Sequence, residues 1–190
     1  MLNLPNMLSL LRLALLPFMV VLFLLPFEWA AWTCFVLYVI GALTDFLDGW
    51  IARKFNQTSE FGAFIDPVSD KMFVVTILLM LVATERIEGL YVLAVVIIIL
   101  REFLVSGLRE YLGPKNIKLP VTKLAKWKTA TQMAALGVLI VAPYVAFGSA
   151  IGLLLLLTAS GLTIITGWLY LKAGLEHMKR DIIHHPAQEP

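Results

Sequence analysis

Polar positions are sparse in this chain and fall in clusters. Between them run long apolar stretches, among them LALLPFMVVLFLLPF from Leu13 and LYVLAVVIIIL from Leu90. Marking those stretches predicts six helices, roughly Leu8 to Phe27, Ala30 to Ala52, Phe61 to Ala83, Gly89 to Leu108, Thr129 to Ala146 and Ser149 to Leu171. Each is close to the ~20 residues that cross a bilayer core. Pro5 suits a helix start, Gly113-Pro114 reads as a turn in the longest connection, and Pro143 marks the end of the fifth helix. The pattern divides the chain into a membrane domain over 1–175 and a polar tail over 176–190.

Composition strengthens this reading. Hydrophobic residues make up 60% of the chain and charged residues 15%, against about half and about a quarter in a soluble domain. The fold class that follows is an all-α integral membrane protein of six transmembrane helices, preceded by a short N-terminal interfacial helical segment. The first apolar run has no basic start and no small-residue cleavage site after it, so it reads as a retained helix, not a signal peptide. Cys34 is the single cysteine, which excludes an intrachain disulfide and a cysteine-built metal site.

The net charge of +2 says little; the placement of the charges says more. With both termini in the cytoplasm, RKFNQTSE, REYLGPKNIKLPVTKLAKWK and the tail KAGLEHMKRDIIHH lie inside, and Arg86 is the only basic residue in an outer loop. That asymmetry sets the orientation. Trp29 and Trp32 suit the outer interface and Trp127 the inner one. Asn6, Ser9 and Arg12 recur every third residue, a drifting polar stripe on the first helix. It reads either as an interfacial anchor or as a wall of a cytosolic site. His177, His184 and His185 fall in the polar tail and read as solvated.

The cluster that needs explaining is TDFLDGWIARKFNQTSEFGAFIDPVSDK, Thr44 to Lys71. Asp45 and Asp48 are three apart near the inner end of the second helix; Asp66 and Asp70 are four apart near the inner start of the third. Each pair shares a helix face. The short polar linker makes the two helices antiparallel neighbours, so the pairs can converge at one depth. An acid at the bilayer centre costs about 2.5–3.5 kcal/mol on insertion scales, less near the interface, and four acids together repel. Bound divalent cations would relieve both problems, and carboxylate oxygens suit hard ions such as Mg²⁺ or Mn²⁺. Gly49, Ala52 and Gly62 allow close approach, and Arg53 can grip a phosphate. The bland alternative makes Asp45 and Asp48 a solvated helix end.

The spacing Asp45-x2-Asp48-Gly49-x2-Ala52-Arg53-x8-Gly62-x3-Asp66-x3-Asp70 resembles, without gap or substitution, the signature of the CDP-alcohol phosphatidyltransferase family. The resemblance implies six transmembrane helices, usually in a homodimer, and two divalent cations held by the four aspartates. It implies displacement of CMP from a CDP-linked lipid by an alcohol, with the last aspartate, Asp70, as general base. It also places the nucleotide lipid near Asp48, Gly49, Ala52, Arg53 and Gly62, with Asn6 and Ser9 as further candidates.

Four more stretches, NLPNMLSLLRLALLPF, GAFIDPVSDK, REFLVSGLREYL and KLAKWKTATQMAALG, look like those of bacterial phosphatidylglycerophosphate synthases. The donor implied is CDP-diacylglycerol, the acceptor glycerol 3-phosphate, and the location the bacterial inner membrane. The residues agree on the acceptor's charge. Arg101 and Arg109 are eight apart, on roughly one face, and Lys126 and Lys128 open the fifth helix, so a phosphorylated acceptor would find cations. The positive-inside rule alone is the competing account, above all for Lys115, Lys118 and Lys123, and Glu102 and Glu110 could pair with the arginines locally. Two rival functions stay open. One is another enzyme of the family, using inositol phosphate, serine or phosphatidylglycerol. The other is a divalent-cation transporter with the aspartates as its transport site.

Overall fold

The computed structural model describes the backbone of residues 4–55, 60–113 and 122–184, and their side chains except at 5, 45–55, 60, 63 and 176–184. Among the described residues there are six α-helices: α1 (Leu4–Leu24), α2 (Glu28–Phe55), α3 (Glu60–Ala83), α4 (Val92–Leu112), α5 (Lys123–Val141) and α6 (Gly148–His184). A 3-10 turn precedes α4 and another follows α5 at Pro143. Local chemistry sets several boundaries. Thr122 caps α5, its hydroxyl accepting from the Ala125 amide at 3.2 Å. Pro26 lies just before α2, and Glu28 places a negative charge in its first turn.

One expectation changes. The N-terminal interfacial segment is not a separate element: residues from Leu4 onward are the first turns of one continuous α1. The reason is the polar stripe. Asn6, Ser9 and Arg12 are buried against the bundle, not laid on its surface. At the other end, α6 runs on to His184, so the helix continues through most of the segment read as a tail.

The helices are wrapped in apolar surface. Phe18, Leu24, Leu100, Leu154 and Trp168 are all exposed, and a surface of that kind needs lipid around it. Asn6–Leu24, Gly89–Leu112 and Gly148–Leu175 are each long and apolar enough to cross a bilayer. The apolar part of α2, Glu28–Thr44, is shorter. α3 carries Asp66, Asp70 and Lys71 inside its length, and α5 opens with three lysines. The protein is therefore a helical membrane protein that carries charged residues within or at the ends of its apolar helices.

Packing puts α1 against both α2 and α3, α5 against α6, and α4 against α6. α2 and α3 meet where the Tyr38 ring stacks on Phe73, centroids 5.7 Å apart. There Gly41 leaves room: a Cβ would come 2.6 Å from the Phe73 ring. One apolar core, including Phe73, Ile77, Leu81, Leu136, Leu139 and Leu156, joins all the helices. Cys34 is buried in it. Hydroxyls in α6 turn back on their own helix, Thr163 onto the Ala159 carbonyl at 2.6 Å and Thr166 onto that of Leu162 at 2.8 Å. Arg86 sits with its guanidinium 5.2 Å from the Phe23 ring centroid and donates to the Ile140 carbonyl near the end of α5.

Candidate active site

The polar groups gather at the end of the bundle where α3 and α5 begin and α4 finishes. Asp66 and Asp70 lie one turn apart on α3, and the polar stripe of α1 meets them. The Ser9 hydroxyl donates to Asp66 Oδ1 at 2.6 Å. Arg12, almost wholly buried, pairs with Asp70 Oδ1 and also reaches the Ser69 hydroxyl at 3.4 Å. Ser69 in turn donates to the Asp66 backbone carbonyl at 3.0 Å. The stripe thus faces α3 and not the membrane surface, so the anchor reading falls away. A buried guanidinium in an apolar helix demands an anion; that was the signal that could have paired Arg12 with an aspartate.

Asp70 lines three of the cavities that open here among the described residues. The first, about 250 Å³, has Asp66 and Asp70 on one side and Arg101, Arg109 and Lys71 among its other walls. The second, about 760 Å³, brings Asp70 together with Arg101, Arg109, Lys126, Lys128 and Gln132. The third, about 330 Å³, is mostly apolar, with Gly41, Phe73 and Met133 beside Arg12 and Asp70. The Asp70 carboxylate is half exposed, so it is accessible from these spaces.

The four candidate acceptor-binding cations therefore share one cavity, but they are not equivalent. Lys128 is buried and pairs with Glu102; Lys126 is exposed. Arg101 lies 3.5 Å from Glu102, so one carboxylate sits between two cations. α6 builds the seat for Arg101. Thr166 accepts from it at 3.5 Å, the Tyr170 ring lies 5.6 Å from its guanidinium carbon, and Gly167 leaves space for its stem, which a Cβ would meet at 3.1 Å. Sequence spacing could not supply Glu102's double role, nor Thr166 and Tyr170, because those partners are far apart in the chain.

The remaining candidates divide by how far they are described. Gly62 and Asn6 are buried at the starts of α3 and α1. Asp45, Asp48, Gly49, Ala52 and Arg53 have helical backbone at the end of α2, and their side chains lie outside the described residues. So do those of His177 and His184, while His185 lies outside altogether.

Comparison with known proteins bears on what this constellation belongs to. The family model described as CDP-alcohol phosphatidyltransferase matches residues 2–169. The chain belongs to the CDP-alcohol phosphatidyltransferase family. Curated relatives include a CDP-diacylglycerol–glycerol-3-phosphate 3-phosphatidyltransferase from Cereibacter sphaeroides, 37% identical with 94% of this chain and 98% of the relative covered. Proteins of the same description from Rickettsia typhi (40% identical, 90% and 96% covered) and Pseudomonas fluorescens (38% identical, 94% and 93% covered) are also similar. Membership in this phosphatidyltransferase family decides against the cation transporter that the aspartates alone left open.

Proposed function

We propose that this protein transfers the phosphatidyl group of CDP-diacylglycerol to glycerol 3-phosphate, giving phosphatidylglycerophosphate and CMP. It would work as a homodimer at the cytoplasmic face of the bacterial inner membrane, with six spans and both termini inside. The observation that carries the reading is the meeting of Asp66 and Asp70 with Arg101 and Arg109 around one cavity, at the charged end of an otherwise apolar bundle. The relatives' names give the same donor and acceptor.

The chain's own groups have separable tasks. The acyl chains of the donor stay in lipid, and its diphosphate enters beside the end of α2, where Arg53 supplies a bidentate grip. Gly49, Ala52 and Gly62 keep that approach unobstructed, and Asn6 and Ser9 close it from the α1 side. Arg101, Arg109, Lys126 and Lys128 draw in the acceptor's phosphate, with Glu102 holding Arg101 and Lys128 in place until then. Asp70 takes the proton from the acceptor's primary hydroxyl. That oxygen attacks the phosphorus bearing the diacylglycerol, and the bond to the CMP oxygen breaks. Arg12 fixes Asp70 through Oδ1, so the base is aimed before substrate arrives.

Two divalent cations, Mg²⁺ or Mn²⁺, fit the donor set. Asp66 and Asp70 offer hard carboxylate oxygens to the same cavity, and Asp45 and Asp48 would complete the cluster from α2. When bound, such ions neutralise a diphosphate and stabilise a leaving phosphate. The test is to incubate purified protein with CDP-diacylglycerol, Mg²⁺ and labelled glycerol 3-phosphate and follow label into lipid. Inositol phosphate, serine and phosphatidylglycerol run as competing acceptors. With each of those three labelled in turn, label that enters lipid from one of them and not from glycerol 3-phosphate would overturn the acceptor assignment.

A further inference from the structure

Gln132 lies one turn beyond Lys128 on α5 and is 3% exposed. Its side-chain oxygen is buried and has no hydrogen-bond partner among the described residues. The same side chain lines the 760 Å³ cavity that also holds Asp70, Arg109 and Lys128. A buried carbonyl oxygen left unpaired costs free energy, and folded proteins seldom carry one without a reason. A ligand that donates a hydrogen bond into this cavity would supply the reason.

The chemistry of the oxygen restricts that ligand. An amide oxygen only accepts, so a phosphate or carboxylate, rich in lone pairs, is the wrong complement. An ammonium donor is disfavoured by Arg101, Arg109 and Lys128 around the same space. A neutral hydroxyl remains. We infer that Gln132 is a specificity-determining residue that accepts a hydrogen bond from the secondary hydroxyl of a phosphorylated polyol acceptor. This rests on the reading that the cavity takes glycerol 3-phosphate. In that acceptor the phosphate belongs to the cations and the primary hydroxyl to Asp70, which leaves the secondary hydroxyl for Gln132. Two close analogues then fail. Propane-1,3-diol monophosphate has nothing to donate, and dihydroxyacetone phosphate turns a carbonyl oxygen toward the Gln132 oxygen. A buried acceptor left without its donor in the complex is penalised, so analogues that lack the hydroxyl are disfavoured.

The experiment measures kcat/KM for glycerol 3-phosphate and both analogues with wild-type protein, Gln132→Met and Gln132→Glu. Wild type should favour glycerol 3-phosphate over the diol phosphate by about 10- to 100-fold, and over the ketone by at least as much. Gln132→Met, close in volume but without the oxygen, should bring the preference over the diol phosphate to within about 3-fold by losing activity on glycerol 3-phosphate alone. Gln132→Glu keeps an accepting oxygen, so it should retain the preference while raising KM for all three anionic acceptors. A wild-type ratio near one overturns the proposal whatever the variants do. So does a preference that survives Gln132→Met, with all acceptors falling together. In either case transfer to glycerol 3-phosphate by wild type still stands. Wild type that uses none of the phosphorylated acceptors brings down the cavity assignment and the Gln132 role with it.

Discussion

The two ends of this bundle are held together by different means. At the end where α3 turns into α4 and α5 into α6, apolar side chains interlock: Ile77, Leu81, Leu139, Ile140 and Leu156 are fully buried. Gly152 lets Leu139 come so close that a Cβ there would lie 2.6 Å from it. At the opposite end, helices are joined by polar groups that reach across: Ser9 to Asp66, Arg12 to Asp70, Lys128 and Arg101 to Glu102. Shape specifies the first region, and charge pairing specifies the second. Pairing is the more costly way to join helices in lipid. Among the described residues the carboxylate–cation pairs lie at this end, which fits groups kept for chemistry, while the interlocked end, with Arg86 bonded to the Ile140 carbonyl, supplies rigidity.

The comparison breaks most visibly at Asp70. Asp70→Asn should lower phosphatidyl transfer by about 10²- to 10⁴-fold, the usual worth of a general base, with binding of CDP-diacylglycerol largely retained. Near-normal turnover would remove Asp70 from that role. Next comes Arg12→Met, which takes away the partner of Asp70 and Ser69. A hydrogen bond to a charged group is worth roughly 1.5–3 kcal/mol, and the half exposure of Asp70 places the loss toward the lower figure. Thermal unfolding in detergent should show that loss together with a fall in turnover; activity unchanged at a lowered Tm would make Arg12 structural only.

Gly152→Val probes the other end. Overpacking costs about 1–3 kcal/mol, and the fully buried Leu139 would meet the new Cβ with its branch carbon at 2.7 Å as well as its tip, so the effect belongs toward the top of that range. Tm should drop while kcat of the folded fraction stays at the wild-type value; a kcat that falls in step would show the two ends are coupled. The smallest change is Lys126→Ala. An exposed cation contributes well under about 1 kcal/mol, so KM for glycerol 3-phosphate should rise no more than about 3-fold. Lys128→Met, at the buried member of the pair, should raise it several times further.

Much of this was legible in the chain itself. Apolar run lengths gave the helices, and three- and four-residue spacings put Asp66 with Asp70 and Arg101 with Arg109, because helical periodicity is local. Contacts between distant positions were not legible in that way. The period of three in Asn6, Ser9 and Arg12 fits a membrane surface as well as it fits a neighbouring helix, and only α3 decides between them. Glu102 read as a local partner of Arg101; its reach to Lys128, 26 residues on, depends on how α4 and α5 pack. Gln132 lies one helical turn beyond Lys128, but nothing in the sequence told its burial apart from that of an ordinary polar residue near a helix start.

Glu102 has one more consequence. Placed between Arg101 and Lys128, its carboxylate gives those two cations a resident counter-ion. An acceptor phosphate that binds them would displace a carboxylate already in place instead of meeting two unpaired charges.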